Sequence, residues 1–137
     1  MADGVSKVER YSVDVPNQAG TGASTLAALA AGGANMQAAW GYPLGASGAS
    51  RIELVPKDAA ALKAAAKKAK IKLNREAAAF YVVGRDKVGA VGATLAKLAA
   101  KGINVHAVQA ASSGTKYGCL IEVDAKDVRK AAKALGV

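Results

Sequence analysis

Two periodicities alternate along the chain. Tyr11, Val13 and Val15 are separated by Ser12 and Asp14, and Phe80 and Val82 repeat the two-residue spacing, the pattern of a strand with one face buried. Each strand leads into a turn, "VPNQAG" or "GRDKVG". Apolar positions then recur at helical spacing: Val88, Val91, Leu95 and Leu98 in one case, Ala19, Gly22, Leu26 and Leu29 more weakly in the other. Gly33 and Gly102 follow, where glycine accepts the left-handed conformation that closes a helix. "ANMQA" and "INVHA" predict a second strand, and "RIELV" and "CLIEV" a third across a Gly/Ser-rich hairpin loop. Lysine-rich second helices are expected over roughly 57–70 and 126–135, with a short fourth strand near 71–75.

The two halves are copies. Gly20 on Gly89 aligns Thr25 with Thr94, Leu29 with Leu98, Gly33 with Gly102 and Asn35 with Asn104, and the same offset, without a gap, pairs Ile52 with Ile121, Glu53 with Glu122 and Asp58 with Asp127. Strand, helix, strand, strand, helix, strand is the ferredoxin-like plait, so the fold expected is α+β, two ferredoxin-like repeats in tandem. Residues 1–7 are read as a tail, 8–76 as the first repeat and 77–137 as the second. The second repeat is expected to lack its last strand, leaving a sheet edge to pair with another strand of this chain or of a partner.

Composition narrows the function classes. Residues 15–50 carry no charge, a length sufficient to span a bilayer, but they include Asn17, Gln18, Asn35, Gln37 and Pro43. The second copy of the uncharged helix bears Lys97 and Lys101, which places that element in water and removes the membrane reading. Cys119 is the single cysteine, so neither an intrachain disulfide nor a multi-cysteine metal site is expected. It is read as a small buried hydrophobe, and the reducing cytoplasm is the expected compartment. "MADGVSKVER" has no apolar run of a leader.

The formal charge of +9 is gathered on the second helices, in Lys63, Lys67, Lys68, Lys70, Lys72 and Arg75 and again in Lys126, Arg129, Lys130 and Lys133. A basic nucleic-acid-binding module is therefore an alternative, but aromatics are only 4% of residues, and Leu120 and Glu122 stand where an RNA-binding sheet would carry stacking rings. Nucleic acid is not the partner expected. Catalysis is not expected either. His106 is the only histidine, with no triad pattern or HExxH motif around it, and a hydrogen-bonded histidine on a sheet face is the favoured role. No cofactor or metal is called for.

The turn ending in glycine, the helix "GATLAKLAAKGINV" and its twin "GASTLAALAAGGANM" resemble tandem ACT domains, the small-molecule-binding regulatory modules of amino-acid metabolism. The turn there reads Asp or Asn, two residues, then Gly, with proline just before the glycine; Asn17 to Gly20 and Asp86 to Gly89 keep the spacing, with Ala19 and Val88 in place of proline. The resemblance implies ligand binding near this turn and the second strand. Backbone N–H groups after Gly20 and Gly89 suit a carboxylate, and Asn17 or Asp86 an ammonium group; the competing role for both side chains is helix capping. Asn35 and Asn104, two residues past the helix-closing glycines, are placed on the open sheet face with Gln37 and His106, and Asn104 and His106 join Asn17, Gly20, Asn35, Asp86, Val88 and Gly89 as contact candidates. Trp40 is read as closing the core, and the outward Tyr81 and Val83 as needing a cover from the other repeat or a second chain.

The function expected is a non-catalytic regulatory or sensor protein that binds an amino acid. It forms a homodimer or higher homo-oligomer and acts on a separate enzyme or transcription partner. A structural assembly subunit with vestigial ligand sites is the remaining alternative.

Overall fold

The segment Gly4–Val8, read from sequence as a tail up to residue 7, is a strand, β1. It lies antiparallel to β6 (Ala79–Arg85), from Gly4 opposite Val83 to Val8 opposite Ala79, and Val5 packs onto the core beneath. The other elements are β2 (Tyr11–Pro16), α1 (Thr21–Ala31), β3 (Met36–Pro43), β4 (Ala49–Pro56), α2 (Ala59–Lys68), β5 (Asn74–Arg75), α3 (Ala90–Ala99), β7 (Val105–Ser113), β8 (Lys116–Val123), a short 3-10 helix (Ala125–Asp127) and α4 (Val128–Leu135). This is a computed structural model describing residues 3–137.

The described residues form two units. Glu9–Glu76 is one; residues up to Val8 together with Ala77–Val137 are the other. One sheet has the order β3-β4-β2-β5 and the other β7-β8-β6-β1, all neighbours antiparallel, so β1 takes in the second sheet the place that β5 takes in the first. The fold is α+β with two ferredoxin-like plaits. The second plait does have its fourth strand, supplied by the N-terminal segment, so the sheet edge expected to stand open is paired within the chain.

Each plait encloses its own core. Tyr11, Val13, Leu29, Ile52, Leu54 and Leu62 pack together in one; Phe80, Val82, Leu98, Cys119, Ile121 and Val123 in the other. The alternating strand positions supply both, with Val91, Leu95 and Leu98 from α3 and Leu29 from α1, whereas Ala19, Leu26 and Val88, predicted to face inward, are exposed. Trp40 is half-buried and belongs to neither core cluster: opposite Glu53, it lies on the face away from the helices, correcting its assignment to core closure. α1 and α3 close as the glycine pattern requires. Gly33 and Gly102 have φ of +90° and +69°, and the N–H groups of Ala34 and Ile103 turn back to Leu29 O and Leu98 O at 3.0 and 3.1 Å.

The repeats keep one numerical offset at their helices but not at their third strands. Tyr11 pairs with Leu54, yet Phe80 pairs with Ile121 rather than Val123. The hairpin of the second repeat is shorter by two residues: Pro43 faces Ser50, whereas its counterpart Ser112 faces Tyr117. The frame is restored by the longer connection through Ala125–Asp127 before α4. Glu53 therefore corresponds to Leu120, not to Glu122, and the ungapped pairing of Ile52 with Ile121 is corrected to Leu54 with Ile121.

Candidate functional site

The turn between β6 and α3 opens one side of a groove of about 290 Å³ lined by Asp86, Lys87, Gly89–Gly92, Ala110–Ser112 and Tyr117. The local sequence dictates its shape. Gly89 has φ +81°, a conformation open to glycine, and turns the chain into α3 with no side chain capping the helix. The N–H of Ala90 donates to Lys87 O at 3.2 Å and that of Ala93 to Gly89 O at 2.9 Å, while those of Val91 and Gly92 have no partner among the described residues. The N–H of Asp86 donates to Thr115 O at 2.9 Å, tying the turn to the β7–β8 hairpin. The Asp86 carboxylate is exposed and carries no hydrogen bond or ion pair within the described residues.

The far wall depends on a glycine. A Cβ on Gly84 would stand 2.9 Å from Cε1 of Tyr117, so only the absence of a side chain at residue 84 lets the Tyr117 ring lie across β6 and face the groove. The first repeat is built differently at the same places. Val15 replaces Gly84 and Ser50 replaces Tyr117, and the Ser50 hydroxyl donates to Asn17 Oδ1 at 2.9 Å. The Thr21 hydroxyl turns inward too, donating to Pro16 O and Gln18 O at 2.7 and 3.0 Å. The Asn17 side chain is thus engaged locally where Asp86 is not, while the N–H groups of Gly22 and Ala23 at the start of α1 are as unpaired among the described residues as those of Val91 and Gly92.

The structure brings Asp86 and Gly89 together and separates the other candidates from them. Val88 is fully exposed and points out of the groove. Asn104 and His106 are exposed at the beginning of β7, beside the end of α3, whereas the groove is made by the end of β7 beside the start of α3. A ten-residue helix separates those ends by about 15 Å. Asn17, Gly20 and Asn35 belong to the Glu9–Glu76 unit. His106 and Gln37 share one feature: each is the extra residue of a β-bulge, between Val105 and Ala107 and between Met36 and Ala38. Ala110, Ala111, Ser112 and Tyr117 were missed by sequence reasoning. A strand returning from the end of α3 runs back alongside it, so its last residues meet the turn, and that signal was available.

Two further polar features lie elsewhere. On the face of the first sheet away from its helices, buried Glu53 pairs with Arg10 and accepts a hydrogen bond from the Tyr42 hydroxyl at 2.6 Å, while buried Ser12 donates to Glu76 at 2.9 Å. Paired with each other, the Arg10 and Glu53 charges stay buried. At the surface, Arg51 Nε donates to Asp14 Oδ1 at 2.8 Å and holds the carboxyl below its ordinary range. Cys119 is buried and desolvation pushes its thiol upward, away from reactivity. Among the described residues no three metal-ligating side chains come together, and no helix is long and apolar enough to cross a membrane.

No family model matches the sequence, and no curated protein matches it significantly. Solved structures do. Protein BT0572 from Bacteroides thetaiotaomicron superposes with a TM-score of 0.82 at 15% identity, over 96% of this chain and 88% of that one. The ligand-free regulatory subunit of aspartate kinase from Thermus thermophilus gives 0.62 at 21%, over 97% and 95%. The fold is ACT-like. The corresponding subunit from Thermus flavus matches with a TM-score of 0.56 at 20% identity, over 99% of this chain and 97% of that one. At these identities the likeness is one of fold, and the ACT-like plait positions the turn of each repeat where its own sequence then opens or closes it.

Proposed function

We propose that the protein is a non-catalytic regulatory module that binds a free amino acid, or a zwitterion of similar size, in the groove of the second repeat and acts on a separate partner. The observation that carries this reading is the contrast between the two turns. Asp86 is unengaged beside the unpaired N–H groups of Val91 and Gly92, while Asn17 is bound to Ser50. Orphan donors at a helix start favour a carboxylate, and an acidic side chain next to them favours an ammonium group. A zwitterion meets both. The regulatory part of the reading is supported by the fold shared with aspartate kinase regulatory subunits. A cytoplasmic homo-oligomer is the setting in which we place it.

Regulation requires only that the ligand bind one arrangement of the module more tightly than another, since equal affinity shifts nothing. Calorimetric titration with the protein amino acids one by one tests the site. At least one should bind, and Asp86→Asn should weaken it roughly 10- to 100-fold, the loss expected for one charge-assisted contact of about 1.5–3 kcal/mol. Asn17→Ala should leave affinity unchanged. Binding that survives Asp86→Asn undiminished would reduce Asp86 to a turn residue.

A further inference from the structure

The Glu9–Glu76 unit contains a second groove that the ligand turn does not use. It has a volume of about 360 Å³, within the range of small-molecule sites, and is lined by Tyr11, Lys63, Ala66, Lys67, Ile71, Leu73 and Arg75. Lys63, Ala66 and Lys67 share one face of α2 by their spacing. That helix ends in a closing turn: Ile71 N–H donates to Ala66 O at 2.9 Å, with Lys70 in the left-handed region at φ +56°, which brings Ile71 back against the helix. The floor is apolar and the rim is cationic.

The charge at the rim is largely uncompensated. Residues 57–75 hold seven Lys and Arg against Asp58 alone. Arg75 is held by Glu9 at 3.0 Å, and the Tyr11 hydroxyl donates to the same carboxylate at 3.2 Å. Lys63 stands 5.9 Å from the Tyr11 ring centroid, and neither Lys63 nor Lys67 has a carboxylate partner among the described residues. A cation in the last turn also stabilises the helix end, but Lys68 stands there as well and does not line the groove.

The fold does not require any of this. In the other plait the places of Lys63, Lys67 and Tyr11 are taken by Ala132, Gly136 and Phe80, with Ala132 and Leu135 packed against the core. One copy of the scaffold carries small and apolar residues at these places and the other carries cations.

We propose that this groove is a binding site for a small amphipathic carboxylate, its apolar body on Ala66, Ile71 and Leu73 and its carboxylate between Lys63 and Lys67. Because Tyr11 is buried, no ring is presented for base stacking, and the apolar floor fits a short acyl or aryl chain better than a phosphate backbone. The site is independent of the Asp86 groove and stands whether or not that groove binds an amino acid.

Titration of octanoate into ¹⁵N-labelled protein, followed by NMR, tests it. Amide shifts should concentrate at residues 63–75 and spare 86–92. Acetate, which lacks the body, and octylamine, which reverses the charge, should each bind at least tenfold more weakly. Lys67→Glu, an exposed substitution, should weaken octanoate at least tenfold. No saturable shift at 63–75, or equal binding of octylamine, overturns the proposal. So does a DNA oligonucleotide that saturates this face with steep salt dependence while octanoate leaves it unperturbed.

Discussion

At the scale of single residues, the two repeats differ by substitutions that leave the backbone plan intact. Gly84 and Tyr117 stand where the first repeat has Val15 and Ser50; the Ser50 hydroxyl engages Asn17, and Gly84 lets the Tyr117 ring face the groove. A second residue-scale contrast concerns helix closure. α4 ends on Gly136 at φ +81°, whereas α2 ends on Lys70 at φ +56°, a conformation that costs a residue with a Cβ about 1–2 kcal/mol. Glycine there adds chain entropy to the unfolded state, which offsets part of the relief. Lys70→Gly should therefore raise stability by about 0.5–1 kcal/mol, read from denaturant midpoints at constant slope. An unchanged or lower midpoint would mean that the lysine side chain stabilises the folded state by as much as its backbone costs.

At the scale of elements, one close approach fixes a helix pair. A Cβ on Gly32 would stand 2.6 Å from Ala65 Cβ and 2.8 Å from its Cα, so the end of α1 rests almost directly on the backbone of α2. The φ of Gly32 is −82°, which alanine adopts freely, so Gly32→Ala tests the contact alone. It should destabilise by about 1–3 kcal/mol through forced separation of the helices. A change below about 0.5 kcal/mol would contradict that packing.

Elements with a clear period were legible in the sequence: the strands opening each repeat, the helices closed by Gly33 and Gly102, and the turn holding Asp86 and Gly89. β1 was not. "GVSKV" is five residues with an exposed lysine and weak alternation, and its strand character comes from a partner more than 70 residues away. The slip in the third strand was also hidden, because a shift of two residues preserves which side chains face inward. Residue types matched at the wrong frame, Glu53 with Glu122, looked like repetition. For the site, the turn was visible but its wall was not, since Tyr117 reaches the groove only by lying over Gly84.

At the scale of the whole molecule, one plan is used twice with different results. The unit containing Ala77–Val137 presents an open turn beside Asp86; the Glu9–Glu76 unit has its turn tied by Ser50 and opens a cationic groove at another edge. The two plaits share the order of their sheets and helices, and a few side chains account for the differences between their turns and grooves. The central claim is that only one of the two turns binds an amino acid. Once a binding amino acid is found, calorimetric stoichiometry measures this directly: one ligand per chain in the unaltered protein, one bound roughly 10- to 100-fold more weakly in Asp86→Asn, and one with unchanged affinity in Asn17→Ala. Two ligands per chain, with one lost in each variant, would contradict it.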